Sequence, residues 1–321
     1  MARKLLISGE IDAAGVSTYS LEGRKSKVSV ASFKKPYAPG GSFKDFIASL
    51  PAFLQAEELG ELAGRIAAAH LGGKTIALAM GAHNIKVGLQ PLYADLMERG
   101  VISSISLNGA GIIHDFELAF SGHSSEEVGA VLGGGEFGMA RETSVWLNRV
   151  IKSGYAAGKG LGESVGEAIW EEGLPHRERS LLASAYRHKV LDTVHVALGT
   201  DIIHMHPDAN GEAIGGATLR DFRRFAKMVE TLEGGVYLNI GSAVILPEVF
   251  LKALTLARNL GAEVKDFTTA DLDFIKHYRP GVNVVSRPTS GGGRGFRLTG
   301  PHELLVPLLF GSALEEISAK V

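Results

Sequence analysis

The sequence predicts an α/β fold with a doubly wound, mostly parallel β-sheet. Short apolar segments alternate with helical patterns along most of the chain. Residues 75–80 form an apolar run, which is typical of a strand buried on both faces. Because parallel strands need a long crossover, and a helix is the usual one, the alternation favours a parallel sheet with helices on both faces.

The helical segments are marked by their composition and by their ends. Residues 52–71 are rich in Ala, Leu and Glu and stop at two glycines, as a helix C-cap would. A second helix of about 88–99 follows the first strand. Pro247 and Glu248 begin a later helix, and residues 301–320 form the last one.

Five predicted strands end in small or polar residues. In open α/β sheets, ligands bind outside the carboxyl ends of the strands, so these ends predict a shared ligand crevice. The alternative is that Gly and Asn at strand ends only form turns. The predicted strands are 75–80, 101–107, 193–198, 236–240 and 264–267.

The rest of the chain suggests one large domain with two additions. Residues 1–50 carry Ser, Lys and Pro-Gly punctuation and are expected to form an irregular N-terminal arm or lid. Residues 51–321 are expected to form a single Rossmann-like domain. A helical insertion at about 122–192 is too long for an ordinary crossover, and we interpret it as a cap or an oligomer-forming element.

The composition excludes several classes of function. The chain has 33 basic and 35 acidic side chains, so it lacks the positive surplus typical of nucleic-acid binding. It has no cysteine, which excludes disulfides, thiolate nucleophiles, iron–sulfur clusters and cysteine zinc sites. No apolar run approaches the length of a membrane helix. We expect a soluble, cytoplasmic protein with no membrane partner.

One glycine-rich turn stands where a phosphate site would be expected. Asn108, Gly109, Ala110 and Gly111 follow a predicted strand and precede a helix. Such a turn points backbone N–H groups and the positive end of the helix at an anion. The turn lacks the full G-x-G-x-x-G pattern, so the motif by itself is weak.

A histidine cluster raises the possibility of a metal. His204 and His206 would share one face of an extended segment, and Asp208 could complete a triad of N and O ligands. Loop histidines before Pro-Asp are more often part of a hydrogen-bonded turn. We therefore expect no metal, and a His/Asp metal-dependent hydrolase stays an alternative.

The predicted strand ends resemble a known family, the deoxyhypusine synthases and their NAD-binding relatives. Residues 81–117 are similar to the first two strand–loop–helix units of that family, with Asn84 in a Ser/Asn-rich loop. Residues 108–115 lie where those enzymes carry a Thr-Ala-Gly-Gly run followed by acidic residues. Residues 197–201 are similar to the family's Ala-Leu-Thr-Asp. Further similar segments are 241–244 (Gly-Gly-Val-Val in the family), 268–270 (Asn-Thr-Ala) and 305–309.

The resemblance implies a homotetrameric Rossmann-like fold that binds NAD at subunit interfaces. In that family the cofactor oxidises an amine to an imine, and an aminoalkyl group is transferred. The lysine that forms the covalent imine falls on Ile245 here, and an apolar side chain cannot form a Schiff base. The family's aspartate before the last helix falls on Pro301. Deoxyhypusine formation is therefore not expected.

The resemblance leads to the following functional prediction. The chain is expected to be an NAD-dependent enzyme of the transferase or oxidoreductase type, which acts on a small amine-bearing substrate by transient hydride transfer. A non-catalytic nucleotide-binding or regulatory protein on the same fold is the alternative. A homo-oligomer, dimer or tetramer, is expected. His114 and Asp115 are the candidate catalytic residues, because an imidazole titrates near neutrality and a carboxylate can orient it. The candidate NAD-binding residues are Gly81, Asn84, Asn108, Gly109, Ala110, Gly111, Asp201, Gly241, Ser242, Thr269 and Ala270.

Overall fold

A computed structural model describes residues 9–320, and a six-stranded β-sheet forms its centre. All neighbouring strands are parallel. The strands are β1 (Ile76–Met80), β2 (Ser104–Asn108), β3 (Leu191–His195), β4 (Val236–Ile240), β5 (Thr268–Asp273) and β6 (Arg294–Thr299). Their order across the sheet is β3-β2-β1-β4-β5-β6, which confirms the predicted doubly wound Rossmann-like fold.

Helices cover both faces of the sheet. β1 shows why: Leu78 belongs to one buried apolar cluster, whereas Ala77 and Ala79 belong to a second cluster on the opposite face. The helices are α1 (Phe43–Ser49), α2 (Leu54–Leu71), α3 (His83–Lys86), α4 (Gln90–Glu98), α5 (Gly109–Ser121), α6 (Val128–Val131), α7 (Arg141–Ala156), α8 (Leu161–Glu171), α9 (Leu181–His188), α10 (Gly211–Val229), α11 (Ile245–Asn259), α12 (Tyr278–Pro280) and α13 (His302–Ser318).

The predicted helical insertion corresponds to α6–α9, which lie between α5 and β3 in the chain. Leu147 of α7, Val165 of α8 and Leu182 of α9 are buried in the same apolar cluster as Leu78. The insertion therefore shares the main core of the protein. Its predicted role as a cap or oligomer-forming element stays a prediction.

The N-terminal segment has little regular structure. Two short 3-10 turns, Leu21–Gly23 and Val30–Ser32, precede α1, and no residue between 9 and 42 is buried. Ser42 begins α1 with a capping box, because its hydroxyl accepts from the Asp45 N–H while the Asp45 carboxylate accepts from the Ser42 N–H. Residues 1–8 of the predicted arm lie outside the described residues. The division of the chain at residue 50 stays a prediction.

The prediction for β5 was wrong in its position. The expected strand was 264–267, whereas the observed strand is Thr268–Asp273. Two aspartates lie in this buried strand, so its residues do not form a continuous apolar run. Asp271 accepts a hydrogen bond from the Asn239 side chain at 2.9 Å and pairs with Arg297 at 3.4 Å. A polar network inside the sheet thus takes the place of the apolar run by which a buried strand is recognised in a sequence.

The sixth strand was not predicted. The last of the five predicted strands ends at residue 267, whereas the chain after β5 forms α12, a π-helical turn (Gly281–Ser286) and β6. β6 lies at the sheet edge, where Arg294 is exposed and Arg297 is only partly buried, so its pattern is half polar. Among residues 9–320, no helix has the length and apolar character needed to cross a membrane.

A buried carboxyl pair lies under the insertion. Asp221 of α10 accepts hydrogen bonds from the backbone N–H groups of Leu161, Gly162 and Val194, each at 2.9 Å. It therefore caps the N-terminus of α8 and ties it to β3. Asp192 of β3 is also buried, and its Oδ2 makes no hydrogen bond to the described residues. Burial, together with the neighbouring Asp221 carboxyl, raises the pKa of Asp192 to about 8.

This pair predicts a stability that falls as the pH rises. The usual pKa of an aspartate is 3.8, so the unfolded chain releases the Asp192 proton at lower pH than the folded chain does. The stabilising effect of the bound proton is thus lost between about pH 4 and pH 8. We expect the unfolding midpoint of Asp192→Asn to exceed that of the unmodified protein at pH 8 and to vary less with pH. Thermal unfolding from pH 5 to pH 8 measures this, with the exposed Asp208→Asn as the control. Parallel profiles for Asp192→Asn and the unmodified protein would contradict the assignment.

Candidate functional site

The topological switch point of the sheet lies between β1 and β4. Gly81 and Gly241 follow these two strands, and the Gly81 N–H donates to the Ile240 carbonyl at 2.9 Å. A Cβ on Gly81 would lie 2.1 Å from the Gly241 carbonyl oxygen, so only glycine allows this approach. The two predicted residues therefore lie side by side at the carboxyl edge, where doubly wound proteins bind ligands.

Asn84 and Ser242 also lie at this edge, but their side chains serve the fold. The Asn84 amide donates to the Ile240 carbonyl at 2.9 Å and accepts from the Tyr93 hydroxyl at 2.8 Å. The Ser242 hydroxyl accepts from the Leu246 N–H at 3.3 Å, in the first turn of α11. Both side chains are almost fully buried. They hold the loops after β1 and β4 in place.

The first turn of α5 is formed by the predicted glycine-rich turn. The Asn108 side chain caps the helix by accepting from the Gly111 N–H at 3.0 Å. A Cβ on Gly109 would lie 1.9 Å from the Asp201 carboxyl, so the Asp201 side chain rests against this turn. Burial raises the pKa of Asp201 above its usual value. A carboxyl group thus faces the N-terminus of α5, where the sequence predicted a phosphate site.

A cavity of about 610 Å³ lies outside the carboxyl ends of β2 and β3, and we call it the α5 cavity. A volume of this size is typical of a small-molecule site. It brings together three of the predicted residues, Ala110, His114 and Asp201. Glu117 and Glu126 add two more acidic side chains to its wall. The α5 cavity is therefore rich in carboxyl groups, which favour a cationic ligand.

His114 takes part in a chain of hydrogen bonds at the wall of the α5 cavity. Its Nδ1 lies 2.5 Å from the Ser124 hydroxyl, which donates to Glu117 Oε2 at 2.7 Å. Glu117 Oε1 accepts from the Thr143 hydroxyl at 3.0 Å. Because a serine hydroxyl has one proton, Ser124 must accept from His114. This pattern assigns the proton of neutral His114 to Nδ1 and leaves Nε2 as an acceptor.

The surroundings of His114 favour its neutral form. Burial is the main cause that lowers the pKa of His114 below 6.5. The Glu117 carboxylate acts in the opposite direction, and the Lys86 ammonium acts in the same direction as burial. His114 is therefore neutral near pH 7. A neutral imidazole whose Nε2 makes no hydrogen bond to the described residues can accept a proton from a ligand in the α5 cavity.

Asp115 has a different environment from His114. It is fully buried and accepts from the Ser180 hydroxyl at 2.6 Å and from the N–H groups of Leu181 and Leu182 at 2.7 and 3.1 Å. Burial raises the pKa of Asp115 to about 6, although these three donors act to lower it. These contacts place Asp115 at the N-terminus of α9. Its predicted catalytic role stays a prediction.

Thr269 and Ala270 do not reach the edge at which a ligand would bind. They lie inside β5, paired with Tyr237 and Leu238 of β4, and both are fully buried. The misplaced strand boundary caused this error, because Leu272 and Asp273 form the true carboxyl end of β5. We therefore correct their assignment as cofactor-binding residues.

The structure also separates the three possible metal ligands. His204 Nδ1 accepts from the backbone N–H groups of Gly199 and Asp201, at 3.1 and 3.2 Å. His206 Nε2 lies 2.9 Å from the Gly138 carbonyl oxygen, whereas Asp208 lies 3.8 Å from the Lys152 ammonium. Within residues 9–320, no group of three His, Cys, Asp or Glu side chains is arranged to hold a metal ion.

Among the residues of the α5 cavity that the sequence did not predict are Lys86, Glu117 and Ser124. Glu117 was detectable, because residues three apart on a helix share a face and His114 was already a candidate. Lys86 follows the first predicted strand and was detectable by its position after that strand. Ser124 carried no signal, because only the turn after α5 brings it back to His114.

Comparisons with known proteins support the fold. No family model matches the sequence, and no curated protein matches it. The strand order and the cavity outside the strand ends define the class, a Rossmann-like α/β protein with a crevice at the carboxyl edge of its sheet. Solved structures then show that the chain has the fold of the deoxyhypusine synthase-like proteins. The predicted resemblance is confirmed at this level.

Three of these structures illustrate the likeness. AgrE in complex with ornithine and NAD⁺ has a TM-score of 0.52 and 15% identity, over 82% of this chain and 33% of AgrE. ArgZ, a cyanobacterial arginine dihydrolase, has a TM-score of 0.50 and 15% identity, over 81% of this chain and 31% of ArgZ. A provisional deoxyhypusine synthase from Entamoeba histolytica has a TM-score of 0.52 and 12% identity, over 88% and 96% of the two chains. The chain thus spans about a third of ArgZ and AgrE.

Proposed function

We propose that the chain is an NAD-dependent enzyme that oxidises a small amine-bearing substrate by transient hydride transfer in the α5 cavity. The observation that carries the proposal is the His114–Ser124–Glu117 chain at the wall of this cavity. AgrE, which shares the fold, has been captured with ornithine and NAD⁺. The dimeric or tetrameric assembly and the cytoplasmic location stay predictions.

The residues at the carboxyl edge fit a dinucleotide. Gly81 and Gly241 lie side by side at the switch point, the place on the carboxyl edge where doubly wound folds bind ligands. The Asp201 carboxyl beside Gly109 is suited to accept hydrogen bonds from ribose hydroxyls, a role that acidic residues have in doubly wound folds. When bound, NAD supplies the acceptor for two electrons. The protein has to position the amine and manage its protons.

The α5 cavity is suited to an amine for two reasons. Carboxyl groups of Glu117, Glu126 and Asp201 line it and attract a substrate ammonium group. Oxidation of the carbon beside an ammonium requires that the nitrogen first lose a proton. His114 Nε2 can accept this proton, while Glu117, through Ser124, stabilises the resulting imidazolium.

A non-catalytic nucleotide-binding protein on the same fold is the second candidate. The observation that favours it is Ile245, which stands where the resemblance places the imine-forming lysine. Ile245 is the first residue of α11 and packs against the second apolar cluster. Its side chain therefore serves packing, and deoxyhypusine formation is not proposed.

One experiment tests the proposal and separates the two candidates. We expect NAD at millimolar concentration to raise the unfolding temperature by several degrees. Because the proposed hydride transfer is transient, we further expect ornithine or another small amine to produce NADH absorbance that rises and then decays within a turnover, with no signal when amine or protein is omitted. NAD binding without NADH formation across a panel of amines would favour the non-catalytic candidate. An unchanged unfolding temperature with NAD would reject both candidates.

A further inference from the structure

A second cavity adjoins the α5 cavity and differs from it in charge. It has a volume of about 630 Å³ and shares Lys86 and Ser124 with the α5 cavity. Its wall also includes Gln90, His176 and Arg179, and no aspartate or glutamate lines it. We call it the cationic cavity. The chain as a whole has a net charge of −2, so this concentration of positive groups is local.

The cations of this cavity are available to a ligand. Within the described residues, neither Lys86 nor Arg179 forms an ion pair with a carboxylate. By contrast, the arginines at the far edge of the sheet are paired, as Arg294 is with Glu61 and Arg297 with Asp271. An ammonium and a guanidinium on one cavity wall form an arrangement that binds anionic oxygens.

A buried amide provides a second and independent observation. Gln90, at the start of α4, is only 5% exposed, yet its side chain makes no hydrogen bond to the described residues. The Gln90 amide is not among the enclosed polar groups that lack a partner, because it reaches the cationic cavity, and there it is free to form a hydrogen bond with a ligand.

The wall that carries His176 and Arg179 is tied to α5. The backbone N–H of His176 donates to the Ala119 carbonyl at 2.9 Å. The His176 ring lies over Gly122, where a Cβ would be 3.1 Å from its Nε2, and Gly122 has the left-handed φ of +75°. Gly122 ends α5 and at the same time allows the ring to approach. The cationic wall is thus fixed to the helix that carries His114.

We propose that the cationic cavity binds the anionic group, a phosphate or a carboxylate, of the ligand that occupies the α5 cavity. The Asp201 carboxyl faces the N-terminus of α5 and repels an anion there, whereas Lys86 and Arg179 attract one in the adjoining cationic cavity. The anion is either the diphosphate of NAD or the carboxylate of an amino-acid substrate. The identity of the ligand rests on the proposed function, but anion binding itself does not.

The test measures binding of inorganic pyrophosphate, NAD and ornithine by titration calorimetry. We expect Arg179→Gln to raise the Kd of pyrophosphate about tenfold, the effect of removing one charge-assisted contact. Arg223→Gln, a change of an exposed arginine on α10 away from the cavity, serves as the matched control and should bind as the unmodified protein does. If the anion is the diphosphate, the Kd of NAD rises in parallel. If it is a carboxylate, the Kd of ornithine rises, while that of putrescine, which lacks the carboxylate, does not.

The outcomes separate this proposal from the proposed function. The anion site would be overturned if Arg179→Gln bound each of pyrophosphate, NAD and ornithine with the same Kd as the unmodified protein, even if NAD is still reduced. Failure of the unmodified protein to bind pyrophosphate, NAD and ornithine would overturn it as well. Pyrophosphate binding that depends on Arg179, in a protein that does not bind NAD, would support the anion site and reject the proposed function.

Discussion

Replacement of His114 by glutamine is expected to lower the rate of amine-dependent NADH formation by about 10²- to 10⁴-fold, the usual contribution of a general base. Glutamine is similar in size and can still donate to the Ser124 hydroxyl, but it cannot take up a proton at neutral pH. The affinity for NAD, measured by calorimetry, should change by less than about threefold, since His114 is proposed to act on the amine.

The pH profile of the same reaction provides a second measurement. The base must be unprotonated, so kcat/KM should fall as the pH drops through the pKa of His114, which burial places below 6.5. Glu117→Gln removes the charge that stabilises the imidazolium, so it should move this limb of the profile to lower pH. A His114→Gln protein with near-normal kcat would show that the base is another group.

Replacement of Asp115 by alanine is expected to lower the free energy of unfolding by about 3–5 kcal/mol, because it leaves three buried donors at α9 without an acceptor. These donors are the Ser180 hydroxyl and the N–H groups of Leu181 and Leu182. Asparagine keeps one acceptor oxygen, so Asp115→Asn should lose less. Urea unfolding, monitored by circular dichroism, measures both changes.

Asp95 offers a matched control for this measurement. It lies on α4, is partly exposed and pairs with the exposed Arg99 four residues later, so Asp95→Ala should cost less than about 0.5 kcal/mol. An Asp115→Ala protein of normal stability that fails to turn over amine would contradict the capping role. It would restore the catalytic role that the sequence first suggested.

The fold could be predicted because its central strands follow simple rules. Ile76 to Met80 are all apolar, and this strand is buried on both faces, so pattern and structure agree. β5 departs from the rule, because Asp271 and Asp273 lie inside it and are matched by partners such as Asn239 on a neighbouring strand. Such partners come from distant parts of the chain, so no local sequence pattern predicts them.

Only the position of the candidate site on the sheet could be predicted from the sequence. The residues after β1 and β4 fall at the switch point, because strand ends in a parallel sheet share an edge. The surroundings of His114 depend on Ser124, which returns to the helix through a turn, and on Thr143 of α7. Likewise, Asp115 was adjacent to His114 in sequence, but consecutive residues on a helix point in different directions. Sequence proximity therefore suggested a pair that the fold divides.

Lys86 lies in the wall that the α5 cavity and the cationic cavity share. A single ammonium cannot fully neutralise charges on two sides at once. An anion that draws the Lys86 ammonium toward one cavity makes the electrostatic potential of the other cavity more negative. The other cavity then binds a cation more strongly. The anionic and cationic groups of a ligand would then strengthen each other's binding through electrostatics alone, without movement of the backbone.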